Sequence, residues 1–272
     1  MDNAGVLFDA SREIQPGVWV YRDAAEVVRA AAQQLVELAR EFTGRDGKFA
    51  VALSGGKTPQ LLYRRLASPE FRAHVDWSKV HLFWGDERPV PPDSIESNYG
   101  LAHREFLTHV PIPTGNVHRM EAERPDLDRA AREYEDVMRQ HLDLDAQGWP
   151  RFHLILLGIG ADGHTASLFP DAANLRDASR WVAASRVDKL GTRRMTLTLP
   201  VLNAAHNVTF LVAGEEKADA VRAVLEGGAT PPLPAQLVVV PAGRRMFLLD
   251  RAAAGKLIPG ADTRAVGSGE RP

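Results

Sequence analysis

Cysteine is absent from all 272 residues, which removes disulfides, thiolate metal ligands and thiol nucleophiles together. Nor is there an excess of charge: 33 Lys and Arg against 35 Asp and Glu leave a formal net charge of −2. No global basic field is available for nucleic acid or an anionic membrane, so an anionic ligand has to be held by a local cluster. No apolar run approaches the roughly 18 residues of a membrane span. The amino terminus, MDNAGVLFDASREIQP, lacks the basic-then-apolar pattern of a signal peptide. A cytoplasmic address is therefore the expectation, with no nucleic-acid, membrane or obligate protein partner.

What is present is an ordinary globular balance, 44% hydrophobic and 25% charged, without an internal repeat, long linker or composition break. Short, continuous apolar runs stopped by glycine or charge recur: Val18–Tyr21, Phe49–Leu53, Val80–Trp84, His153–Leu157 and Val208–Ala213. Runs of this kind are what strands buried on both faces require. Between them lie helical patterns: Asp23 caps a helix to about Phe42 that ends before Gly44, Ser97 opens one through Phe106, and Leu127 to Leu144 forms a charged one. The spacing also predicts strands at Val117–Met120, Trp181–Ala184, Met195–Leu199, Gln236–Val240 and Met246–Leu249, a turn opening at Pro200, a helix from Glu215 to Leu225, and a helical turn over Ala252–Lys256. His141 is placed on the solvated face of its helix with no chemistry. The expected fold is a single Rossmann-like α/β domain over residues 1–260, a mostly parallel central sheet flanked by helices with a small additional β/α portion. A disordered tail is expected over residues 261–272.

In open α/β sheets ligands bind beyond the carboxyl ends of the strands, and four such ends carry candidate chemistry. After Leu53 come Ser54, Gly55, Gly56, Lys57, Thr58 and Pro59. Small residues at a strand-to-helix turn let backbone N–H groups converge on an anion, and Ser54, Lys57 and Thr58 can add donors; the bland alternative is an ordinary tight turn. This is neither a Walker A loop nor a nucleophile elbow. After Trp84 come Asp86, Glu87 and Arg88, either a ligand cluster or a local ion-pair network. After Leu157 comes GIGADGH, where Asp162 can orient His164 as a general base or can merely cap a following helix. A dinucleotide loop is not expected there. Lys217, in the first turn of a helix where a cation runs against the macrodipole, is expected to meet a ligand.

Taken together and in order, LSGGKTP at 53–59, GDER at 85–88, SNYG at 97–100, GIGADGHTASLFP at 158–170, RRMTLTLPVLN at 193–203, GEEK at 214–217 and PAQLV at 234–238 resemble the 6-phosphogluconolactonase family. The resemblance implies an α/β fold shared with glucosamine-6-phosphate deaminase and ribose-5-phosphate isomerase, and hydrolysis of 6-phospho-D-glucono-1,5-lactone in the oxidative pentose phosphate pathway. It implies no metal and no cofactor. His164 would be the base, Asp162 its orienting partner, Arg88 the oxyanion donor, and Asp86 a holder of Arg88 or of sugar hydroxyls. Residues 54–58, Arg194 and Lys217 would grip the phosphate. Two departures stand out: Asp188 to Thr192 precede Arg193 where prolines are usual, and Phe247 replaces the usual tryptophan. Arg194, rather than Arg193, matches the motif. The related deaminases place a glutamate five residues after the histidine; here that residue is Phe169.

Overall fold

The computed structural model describes residues 12–170, 172–187 and 191–258; the tail expected from residue 261, and Asp188 to Leu190 before Arg193, lie outside them. β1 (Arg12–Gln15) and β2 (Val18–Tyr21) form an antiparallel hairpin. Asp23 then caps α1 (Ala24–Arg45), its carboxylate accepting from the Glu26 amide at 3.0 Å. Burial of Val27, Ala31, Leu35, Leu38 and Phe42 turns the predicted stripe inward. The helix runs past the stop expected before Gly44, because Asp46 closes its last turn by donating its N–H to the Phe42 carbonyl at 2.7 Å.

β3 (Phe49–Leu53), buried at every position, leads into α2 (Lys57–Ala67) and the short α3 (Pro69–Arg72). β4 (Val80–Trp84) continues almost directly into β5 (Asp86–Glu87), followed by α4 (Asn98–Glu105) and α5 (Leu127–His141). β6 (Asp143–Leu144) and β7 (Pro150–Arg151) make a small hairpin before β8 (Leu154–Leu157). The chain closes with β9 (Val182–Val187), β10 (Thr192–Leu197), α6 (Leu199–Ala204), β11 (Asn207–Val212), α7 (Ala218–Glu226) and β12 (Arg244–Asp250).

Seven strands form the main sheet in the order β1-β2-β12-β11-β8-β3-β4, parallel throughout except for the β1–β2 edge. From β3 the chain moves outward to β4 and then returns to the other side of β3 as β8. The order of strands therefore reverses between β3 and β8, where a crevice opens at the carboxyl ends. A second sheet, β5-β10-β9, is antiparallel. It is the small additional portion expected, and it places Thr196 opposite Asp86 and Met195 opposite Glu87.

Several local expectations are corrected. Val117 makes a single bridge to Leu82 in place of a strand, because the 3-10 turn Thr114–Asn116 delivers only one residue to the sheet edge. α5 stops at His141, where Leu142 turns extended and frees Asp143 and Leu144 for the hairpin. β10 ends at Leu197: Thr198 is the extended cap of α6, and Pro200 fits that helix's first turn, where no N–H is needed. Residues 236–240 form no strand. Gln236 accepts from the Leu233 amide within a 3-10 turn, and the Val239 and Val240 amides donate to the Asn203 side chain. β1 lies where no strand is predicted. Phe247 stacks on Phe210 of the adjacent strand with centroids 4.5 Å apart, a packing role within the sheet.

His153, just before β8, ties α1 to the sheet. The Ala50 amide donates to its Nδ1 at 2.8 Å, while its Nε2 meets Asp46 Oδ2 at 3.1 Å. Only the neutral ring protonated on Nε2 satisfies both partners. Burial, aided by the neighbouring His206, pushes its pKa from 6.5 to about 4. A folded-state value below the unfolded one means that acid favours the unfolded chain. The contribution of His153 is intact above about pH 6.5 and is lost as the pH falls toward 4. That loss is worth on the order of 3 kcal/mol. Urea midpoints measured across this window are expected to fall with pH, and to fall less steeply in His153→Asn; a flat midpoint in the wild type would contradict the assignment.

Candidate active site

A cavity of about 370 Å³ opens at the β3/β8 crossover, and all eleven residues singled out from the sequence line it: Ser54, Gly55, Gly56, Lys57, Thr58, Asp86, Arg88, Asp162, His164, Arg194 and Lys217. They arrive from the carboxyl ends of β3, β4, β8 and β11 and from β10 of the second sheet. That size suits a small polar metabolite.

The β3 turn is built for close approach. α2 starts from Gly56, at φ 105°, with no side-chain cap, so its first N–H groups have no intrahelical acceptor. A Cβ on Gly55 would lie 1.8 Å from Asn98 Oδ1, so only glycine lets Asn98 enter. Beneath the turn the buried Tyr63 hydroxyl donates to the Ser54 carbonyl at 2.5 Å. Ser54 Oγ and Asn98 Oδ1, both on cavity-lining residues, are buried without a hydrogen-bond partner. Unmet polar atoms at a cavity wall are what a polar ligand would satisfy.

The Asp86–Arg88 segment is not the ion-pair network that charge alone suggested. Asp86 accepts from Ser167 Oγ at 2.6 Å and from Asn98 Nδ2 at 3.2 Å, while Arg88 donates to the Glu96 carbonyl. The expected hold of Asp86 on Arg88 is therefore absent from the observed contacts: Ser167 and Asn98 occupy the carboxylate. Glu87 turns away from the cavity to accept from three donors at the start of α4 and from the amide of Arg88 beside it.

Arg194 is half-buried, and burial, together with the charge of Arg88, lowers its pKa from the ordinary guanidinium value. Two cations facing one cavity repel each other, and an anionic ligand between them removes that penalty. Arg193 instead points outward to Asp128, at 2.9 Å, which leaves Arg194 as the arginine of the pair at the cavity. Lys217 stands at the amino-terminal cap of α7 and also lines the cavity.

In the β8 loop, Asp162 Oδ1 lies 2.5 Å from His164 Nδ1 and 3.3 Å from the His164 amide. No helix follows Asp162; residues 161–169 run through turns, so the helix-cap alternative finds no helix to cap. A Cβ on Gly160 would lie 2.0 Å from His164 Nδ1 and 2.8 Å from Asp162 Oδ1. Glycine is thus required for the pair to fold back over its own backbone. With Nδ1 taken by the carboxylate, Nε2 is the ring's basic nitrogen. Phe169 stacks on the imidazole at 4.3 Å and 25°, fixing the ring plane. Asn98, Ser167 and Phe169 as a ring support were not identified as site residues from the sequence. SNYG held a signal for Asn98, but only the fold reveals that it reaches Gly55 and Asp86.

The chain matches the family described as glucosamine-6-phosphate isomerases/6-phosphogluconolactonase over residues 22–247. It is 41% identical to a 6-phosphogluconolactonase of Mycobacterium tuberculosis over 251 residues, covering 88% of this chain and 97% of that protein. It is 39% identical to one from Synechocystis over 213 residues, covering 78% and 86%. Among solved structures, a 6-phosphogluconolactonase from Trypanosoma brucei superposes with a TM-score of 0.80 at 28% identity, over 90% of this chain and all of that one.

Proposed function

The chain belongs to the glucosamine-6-phosphate isomerase/6-phosphogluconolactonase family, and from that premise we propose that it hydrolyses 6-phospho-D-glucono-1,5-lactone to 6-phospho-D-gluconate by general-base catalysis. Lactone hydrolysis in the pentose phosphate pathway is the activity of this branch, and the chain is a carboxylic ester hydrolase of it. The observation that carries the reading is the Asp162–His164 contact at 2.5 Å, on the wall of a cavity that also holds Arg88, Arg194 and Lys217.

A δ-lactone is an activated ester, so a positioned water and a base are sufficient. His164 Nε2 takes a proton from water as the oxygen attacks C1, and Asp162 stabilises the imidazolium that forms. The charge on the carbonyl oxygen of the tetrahedral intermediate falls to Arg88, a preorganised donor held by the Glu96 carbonyl. Collapse breaks the bond from C1 to the ring oxygen, which receives the proton from His164. The product acid then ionises, releasing one proton per turnover. Asp86, already fixed by Ser167 and Asn98, is positioned for sugar hydroxyls. Residues 54–58, Arg194 and Lys217 grip the phosphate. Absence of cysteine suits the cytoplasmic setting we assign to it; among the described residues no helix is long and apolar enough to cross a membrane.

Amino-sugar deamination is disfavoured because Phe169, where the deaminases carry a carboxylate, is stacked flat on the imidazole. The test is to supply freshly generated lactone and glucosamine 6-phosphate separately, following acid and ammonia release. Acid release above the spontaneous rate, without ammonia, is the expected result. Ammonia release, or no acceleration with lactone, overturns the reading.

A further inference from the structure

Three histidines gather at the opposite end of β4 from the cavity. His81 is the second residue of that strand, His118 follows the Val117 bridge and donates its amide to the Leu82 carbonyl at 2.8 Å, and His141 ends α5. His81 precedes Asp86 by five positions, a distance of about 16 Å at the usual strand rise. His141, expected on a solvated helix face, is instead half-buried against the other two.

We propose that His81, His118 and His141 form a second site, remote from the catalytic cavity, that binds a divalent transition-metal ion of the zinc type. One ring nitrogen from each residue lies within 4.8 Å of the others. His81 Nδ1 and His118 Nε2 are 3.1 Å apart and share a hydrogen bond; a tautomer switch that moves the donor ring's proton to its other nitrogen frees both for one ion. Two imidazole nitrogens on a tetrahedral zinc stand about 3.3 Å apart, given bonds of about 2.0–2.1 Å. All three residues are partly exposed, which leaves an ion a route in. Burial holds all three pKa values below 6.5, His118 at about 4, so the rings are neutral near pH 7, the form that ligates. Imidazole donors without thiolate or carboxylate select zinc, copper or nickel over magnesium or calcium. Three protein ligands leave the fourth position to water. Lys48 is the charged neighbour that opposes a cation here, and its pairing with Asp143 at 3.3 Å offsets that charge. Bound metal would clasp the end of α5 to the edge strand of the main sheet.

The site is tested on the full chain, stripped with a chelator and titrated with Zn²⁺ alone in a calorimeter. One equivalent is expected to bind to the wild type and to His164→Ala with equal affinity. His118→Ala and His141→Ala are each expected to weaken binding by at least about 100-fold, beyond what loss of a mere supporting contact costs. X-ray absorption of the zinc-loaded wild type, which needs no variant, is expected to count three imidazoles. Zinc lost with His164→Ala but retained with His118→Ala, fewer than three imidazoles, or no binding at all overturns the proposal and leaves the trio as stacked, hydrogen-bonded packing.

Discussion

Replacement of His164 by alanine is expected to lower kcat by about 10²–10⁴-fold, the range for loss of a positioned general base, with little change in KM. The split follows from geometry. The imidazole meets Asp162 through Nδ1 at 2.5 Å and Phe169 through its face, leaving Nε2 for the water of the proposed mechanism, whereas the cationic side chains Arg194 and Lys217 belong to other elements. Removing the ring therefore takes away an interaction made in the transition state and leaves ground-state binding in place. Asp162→Asn is expected to act in the same direction through the ring's orientation and tautomer. Rates corrected for spontaneous lactone hydrolysis decide it: near wild-type kcat in His164→Ala excludes the histidine as base, and a rise confined to KM makes it a binding group.

Much of this arrangement was legible because the strands that carry it are short apolar runs ending in small or charged residues. Phe49–Leu53 and Val80–Trp84 coincide with β3 and β4 because five-residue runs rich in apolar side chains, stopped by small or charged residues, are too short for a helix and suit a covered strand. What could not be read depends on contacts distant in sequence. The β5-β10-β9 sheet pairs a two-residue strand with one about a hundred positions later, and two residues carry no periodicity. His141 looked solvated because its helix is charged, yet its partners come from β4 and from the loop before the helix. Asp86 looked like a partner for Arg88, its near neighbour in sequence, until Ser167 and Asn98 claimed its oxygens. Phe169 was legible as an absence, the missing carboxylate of a deaminase, and not as the ring support that it is.

Glu87, which the sequence places in either a ligand cluster or a local ion-pair network, leads to the largest stability effect expected. Its side chain is 3% exposed, and its oxygens accept from the amides of Arg88, Asn98 and Tyr99, each at 2.8 Å, and from Ser97 Oγ at 3.0 Å. Asn98 and Tyr99 open α4, so the carboxylate stands at a helix amino terminus, where its charge is favoured. Ser97 Oγ meanwhile accepts from the Gly100 amide at 2.9 Å, so one hydroxyl links the helix cap to Glu87. Burial raises the Glu87 pKa, and the three amide donors oppose that shift. In Glu87→Ala those buried donors lose their acceptor together, at about 1–3 kcal/mol apiece. The loss is expected to be about 3–5 kcal/mol once partial relaxation is allowed for. Glu87→Gln keeps one acceptor oxygen and should fall between alanine and wild type. Because Asp86 and Arg88 flank Glu87 and Asn98 touches Asp86, activity measured where the variant is still folded should drop as well. Urea unfolding together with kcat/KM separates the possibilities: destabilisation below about 1 kcal/mol, the scale of a single ordinary hydrogen bond, would mean that water replaces the carboxylate and that the α4 amides do not depend on it.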